Sequence, residues 1–210
     1  MNRYLPVVSA LALALATAPF LFDFPFLRSS TRTEGAVINI AIKPAIATAL
    51  AFTGFAIRRR SLGFYRIQGF GWRAFGAMSA ALAAVYLMLY LGASLAPSAM
   101  DGPSTDAQAG VPIYLAIAGA FAAGICEEFI FRAFAIEELA ELFGTRARAA
   151  LFSILLFTAA HVQVYGWTLG LFFPAIMGVI FTWLYLRWNS LLLCMAMHSI
   201  VDLTAQFNWP

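Results

Sequence analysis

Seven apolar runs, each about long enough to cross a lipid bilayer, take up nearly all of this chain. A crossing helix needs about 20 such residues. The runs fall at 4–22, 36–57, 73–96, 112–136, 148–164, 168–187 and 190–207. The expected fold is therefore all-α, a polytopic transmembrane helical bundle of about seven spans with no soluble domain. Composition agrees with this reading. The chain is 62% hydrophobic and 11% charged, whereas a soluble domain is about a quarter charged.

No internal repeat and no low-complexity tail interrupt the pattern. The stretch from Pro97 to Pro112 is polar and reads as an external loop. The last three runs are joined by minimal turns, HVQVYGW (His161 to Trp167) and RWNS (Arg187 to Ser190). The first run resembles a secretory signal loosely, with Arg3, an apolar stretch and Ala16-Thr17-Ala18. Pro19 would follow the cut and hinder it, so an uncleaved first span is expected.

Lys and Arg counts orient the bundle. The loop after the second run carries Arg58, Arg59, Arg60 and Arg66, with Arg73 at its far edge, while the next loop holds Asp101 and Asp106 and no basic residue. The second loop is thus expected on the cytoplasmic side. Alternation adds Arg3, Arg146, Arg148 and Arg187 to that side and leaves Arg28 and Arg32 outside. The net charge of +3 reflects these short clusters, a topology signal and not a nucleic-acid surface. Cys126 and Cys194 both lie inside apolar runs, where small buried hydrophobes are the ordinary role for cysteine.

Away from the span ends, the ionisable residues are few: Lys43, Glu127, Glu128, Arg132, His161, His198 and Asp202. Each charge at a helix centre costs about 2.5–3.5 kcal/mol on insertion scales, so such residues mark function unless they pair as bundle glue. Glu128 and Arg132 are spaced i, i+4 and can neutralise each other on one helix face. Glu127 points about 100° away and has no such partner on its own helix. Lys43 fits neither pattern; snorkelling toward the outer interface is the expectation for it.

Depth separates one site from scattered glue. Counting about 1.5 Å per residue from the cytoplasmic end, Glu127 and Glu128 lie about 12–14 Å deep, His161 about 20 Å, His198 about 12 Å and Asp202 about 18 Å. Three helices therefore bring polar groups to one layer. His198 and Asp202 are i, i+4 and can touch. Cys194 shares their face, but a Cys–His nucleophile on one helix lacks a pocket-forming turn. One Glu and two His from separate helices match the ligand set of catalytic zinc. They match equally a metal-free glutamate base with histidine helpers, and both readings stay open.

With these residues in place, the chain resembles the intramembrane CAAX-protease and bacteriocin-processing (CPBP, Abi-like) family, which includes the type II CAAX prenyl endopeptidases. That family carries Glu-Glu-x-x-x-Arg, here Glu127-Glu128-Phe-Ile-Phe-Arg132. It carries Phe-x-x-x-His, here Phe157-Thr-Ala-Ala-His161, and His-x-x-x-Asn/Asp, here His198-Ser-Ile-Val-Asp202. The resemblance covers 112–207, a catalytic core, while 1–96 would be N-terminal transmembrane helices without a family signature. It implies an intramembrane endopeptidase open to the cytoplasm. Glu127 would activate water, His161 would help to hold it, and His198 and Asp202 would sit at the oxyanion side. Glu128, Arg132 and Phe157 would be structural support, and a divalent metal such as zinc would be held by Glu127, His161 and His198 if one is used.

Asp202 departs from the more favourable Asn, because an ionised Asp repels an oxyanion; it is either protonated in its apolar site or orients His198, and helix spacing favours the second. The implied partners are membrane lipid and a membrane-associated peptide or protein substrate, with no nucleic acid. The expected location is the bacterial inner membrane. Two other readings use the same residues. One is a non-catalytic membrane binding, immunity or scaffold protein that keeps the fold. The other is an ion-coupled transporter, which the lack of repeat symmetry disfavours.

Overall fold

A computed structural model describes residues 32–95, 111–165 and 167–205. The expected first span at 4–22 and most of the polar loop after the third run lie outside the described residues. Every described element is helical. Helix α1 is Arg32–Phe52 and runs into a π-helical turn, Thr53–Ile57. Helix α2 is Trp72–Leu95 and α3 is Ile113–Glu128. A π-helical segment, Phe129–Ile136, carries α3 directly into α4, Glu137–Phe143. Then come α5 (Arg146–Ala160), the single turn α6 (Val162–Tyr165), α7 (Phe172–Trp188, entered through a 3-10 turn at Leu169–Leu171) and α8 (Leu191–Ala205).

Among the described residues, four stretches are long and apolar enough to cross a membrane: Ala36–Ile57, Trp72–Gly92, Ile113–Phe143 and Leu169–Trp188. They make this an integral membrane protein. Among the described residues, two of the expected spans do not reach crossing length, for a physical reason. Helices α5 and α8 sit where spans five and seven were expected, but each has 15 residues, short of the roughly 20 that a crossing needs. The fourth run, by contrast, is longer than the sequence suggested. Its helix does not stop at Ile136, and the whole stretch to Phe143 is 31 residues long.

The breaks follow local chemistry. Gly144 adopts φ 78° and closes α4 in the left-handed conformation that glycine tolerates. Thr145 then caps α5, its Oγ1 accepting from the Arg148 amide at 3.3 Å. Asn189 ends α7 at φ 48°, and Ser190 Oγ accepts from the Leu193 amide at 3.3 Å to start α8. The tight turn at RWNS is thus a C-cap followed at once by an N-cap.

Helix α3 is the axis of the bundle, packed on α8 along one side and α1 along the other. Its approach to α8 is close at Gly124, where a Cβ would run into Ser199 Oγ and stand 2.6 Å from the Ser199 backbone nitrogen.

The end of the bundle carrying Arg58 to Arg66 is held by buried charges. Glu138, 0% exposed, accepts from Tyr65 Oη at 2.8 Å and from Arg60 Nε at 3.1 Å. Arg58 Nη2 lies 3.2 Å from the other oxygen of Glu138. Glu141 pairs with Arg58 at 2.7 Å and Arg60 at 2.6 Å. Glu137 accepts from Tyr185 Oη at 2.8 Å and Arg146 Nη2 at 2.7 Å. Burial, reinforced by the Glu138 carboxylate, pushes the Tyr65 hydroxyl well above its usual range, so it serves only as a donor. The loop between α1 and α2 is thereby stitched to α4.

Candidate active site

Five helices contribute to one polar cluster. Glu127 and Glu128 end α3 just before the π-helical segment, and Arg132 lies within that segment. Single-stretch π-helical geometry is frequent at functional sites because it re-aims side chains off the regular helix face. His161 follows the last residue of α5, and His198 and Asp202 lie on α8. Lys43 comes from α1, and Phe181 comes from α7.

Lys43 does not snorkel to the outer interface. Its Nζ is 2.7 Å from Glu127 Oε1, with the two side chains 25% and 14% exposed. The carboxylate without a partner on its own helix thus finds a cation on another. The expectation failed because a sequence gives the depth of a lysine and not the helix that stands opposite it.

Glu128 and Arg132, both 0% exposed, form the i, i+4 pair, with Arg132 Nε 3.2 Å from Glu128 Oε2. The other oxygen, Oε1, is 2.7 Å from His198 Nδ1. Asp202 Oδ2 stands farther off, 3.6 Å from His198 Nε2. The carboxylate in direct hydrogen-bond contact with His198 is therefore Glu128, from another helix, and not Asp202 on its own.

His161 Nδ1 is 2.7 Å from the carbonyl oxygen of Phe157. A carbonyl can only accept, so Nδ1 carries a proton, and in the neutral ring Nε2 is the nitrogen left with a lone pair. Phe157 is the hub of the apolar wall. Its ring lies 4.5 Å from the His161 ring and 6.1 Å from that of His198, and the Arg132 guanidinium lies 4.3 Å above it. The opposite wall is Phe181, stacked on His198 at 4.8 Å and 5.3 Å from Arg132. Sequence reasoning missed Phe181. It sits in a run dense in large apolar residues, with nothing in the pattern to single it out.

Lys43, His198 and His161 all act electrostatically on the Glu127 carboxylate, and Asp202 interacts with the same set. Glu127, His161, His198 and Asp202 thus lie near enough to one another to interact electrostatically. The zinc ligand set does not fit. Among the described residues, no group of three or more His, Cys, Asp or Glu side chains is placed to hold a metal ion. Lys43 Nζ stands against Glu127 Oε1, and an ammonium at that carboxylate competes with any second cation there.

Comparison with known proteins adds one positive finding. Residues 109–204, just under half of the chain, match the family model described as type II CAAX prenyl endopeptidase Rce1-like. No curated protein and no solved structure matches the chain. The match spans α3 through nearly all of α8 and takes in all three motifs; α1, with Lys43, lies before it.

Proposed function

We propose, from the premise that residues 109–204 are an Rce1-like domain of the type II CAAX prenyl endopeptidase family, that this chain is an intramembrane endopeptidase in which Glu127 activates the hydrolytic water. The observation that carries the reading is the convergence of Glu127 with both histidines of the described chain in one partly exposed cluster.

Water alone is a poor nucleophile toward an amide. Glu127 takes one of its protons as the water oxygen bonds to the carbonyl carbon, and later passes that proton to the leaving amine as the C–N bond breaks. His161, with Nδ1 fixed on the Phe157 carbonyl, accepts from the water through Nε2 and holds it in line. His198 stands at the oxyanion side, oriented by Glu128. A donor aimed at the developing charge lowers the barrier by about 2.7–4 kcal/mol in well-studied hydrolases. Three carboxylates, Glu127, Glu128 and Asp202, stand beside two fixed cations, Lys43 and Arg132. His198 has the Glu128 carboxylate at 2.7 Å from Nδ1 and the Asp202 carboxylate at 3.6 Å from Nε2.

The substrate class is a membrane-associated peptide or protein. The site is proposed to open toward the cytoplasm, since the arginine-rich loop at Arg58 to Arg66 marks that side under the positive-inside rule.

The test is cleavage of an internally quenched farnesylated CAAX peptide by protein purified in detergent. Glu127→Gln is expected to lower turnover by about 10²–10⁴-fold, the range a general base supplies, with an unchanged helical spectrum and a lower melting temperature because Lys43 loses its counter-charge. Equal rates for the two proteins would leave a binding or scaffold role as the better account. Asp202→Asn is expected to cost only about tenfold, the lower end for a group that supports a histidine, because Glu128 makes the closer contact. A loss as deep as that of Glu127→Gln in a folded protein would move Asp202 into the chemistry itself.

A further inference from the structure

One intramembrane charge has no part in the chemistry above. Lys43 lies on α1, outside the segment that matches the family, yet its ammonium contacts the base, 2.7 Å from Glu127 Oε1. It interacts with Asp202 as well. Its neighbour Pro44 lies inside the helix and cannot donate to the carbonyl of Ile40, which loosens the hydrogen-bond ladder beside the lysine. A lysine held only for packing would be costly at this depth, where a neutral side chain would fill the same space.

We propose that Lys43 is a positioning residue for Glu127: its ammonium holds Oε1, keeps the carboxylate charged, and leaves Oε2 as the oxygen that meets the water. This inference rests on the peptidase reading and deepens it. An ammonium has three donors and no acceptor, so Lys43 cannot itself take a proton from water. Its contribution is to fix which Glu127 oxygen is free and in which direction it points. Charge stays balanced through the reaction. When Glu127 accepts the proton and becomes neutral, the negative charge appears on the carbonyl oxygen of the substrate, so the net charge of the site is unchanged. The cation therefore loses no counter-charge as the barrier is crossed, which is the condition for electrostatic preorganisation.

Two measurements decide this. In the peptide assay, Lys43→Met is expected to lower kcat by about a hundredfold, within the range of general-base contributions, with KM little changed. Lys43→Arg is expected to recover most of kcat, because a guanidinium restores the charge and a donor. Infrared difference spectra give a readout that needs no substrate. A carboxylate deprived of its cation in apolar surroundings takes up a proton. Lys43→Met should thus show the carbonyl stretch of a neutral carboxylic acid, and the Lys43→Met/Glu127→Gln double variant should lack it.

Lys43→Met that stays folded with wild-type kcat, or without the new stretch, overturns the proposal. A lower melting temperature with kcat unchanged in the folded fraction would make Lys43 mere bundle glue, and also overturns it. Should the wild type fail to cleave the peptide, the peptidase reading is what fails. The infrared stretch then still reports whether Lys43 holds Glu127 charged.

Discussion

Gly124→Ala is expected to abolish most activity although it removes no polar group and touches no residue of the cluster. The added methyl would overlap Ser199 Oγ and lie 2.6 Å from the Ser199 nitrogen and 2.9 Å from its Cα. Two of these atoms are backbone, so a rotamer change cannot relieve the overlap and α8 must move off α3. Ser199 is the residue after His198, and Gly124 lies one turn before Glu128. The displacement therefore falls on the 2.7 Å contact between His198 and Glu128. Overpacking of this kind costs about 1–3 kcal/mol in stability, and a shift of about 1 Å at a catalytic group costs on the order of 100-fold in rate. Peptide cleavage together with thermal melting in detergent checks both. Ser199→Gly on the same chain should not restore activity, since the amide nitrogen and Cα stay in place; full recovery would show that only the hydroxyl mattered.

Arg132→Met is expected to be the most destabilising single change at the site. The guanidinium is wholly buried, pairs with buried Glu128, donates to the Gly178 carbonyl at 3.4 Å and lies over two aromatic rings. Removing one partner of a buried ion pair costs about 3–5 kcal/mol, chiefly because the other charge is stranded. The cation–π contacts add about 0.5–2 kcal/mol. The double variant Arg132→Met/Glu128→Gln should then be more stable than Arg132→Met alone, a coupling that unfolding in detergent would measure. Additive losses would mean that Glu128 does not depend on Arg132 for its charge.

How much of this could be read from the sequence varies from residue to residue. A fixed rise per residue along each helix is what lets a sequence place Glu127, His161, His198 and Asp202 in a common layer. The close partner of His198 did not follow. Spacing favours Asp202 at i, i+4, whereas Glu128 reaches it across the α3–α8 contact that Gly124 permits. Glu137 and Glu138 follow directly on the fourth apolar run in the sequence, yet they are 6% and 0% exposed. Their only sequence signal was the cluster of arginines in a distant loop, and nothing in a linear pattern says that the loop folds back. The π-helical segment at Phe129–Ile136 carries no compositional mark, so the continuation to Phe143 was not visible either.

The stitched loop has a consequence for how separable the two halves of this protein are. Someone trimming the gene to the family-like portion, 109–204, would delete Arg58, Arg60 and Tyr65, and with them three of the groups that neutralise or hydrogen-bond Glu138. Lys43 would go too, leaving Glu127 without its nearest cation. The shortened polypeptide would carry orphaned acids into lipid, and its failure to insert would say nothing about its chemistry. The leading helices are thus part of what makes the trailing ones a possible membrane object at all.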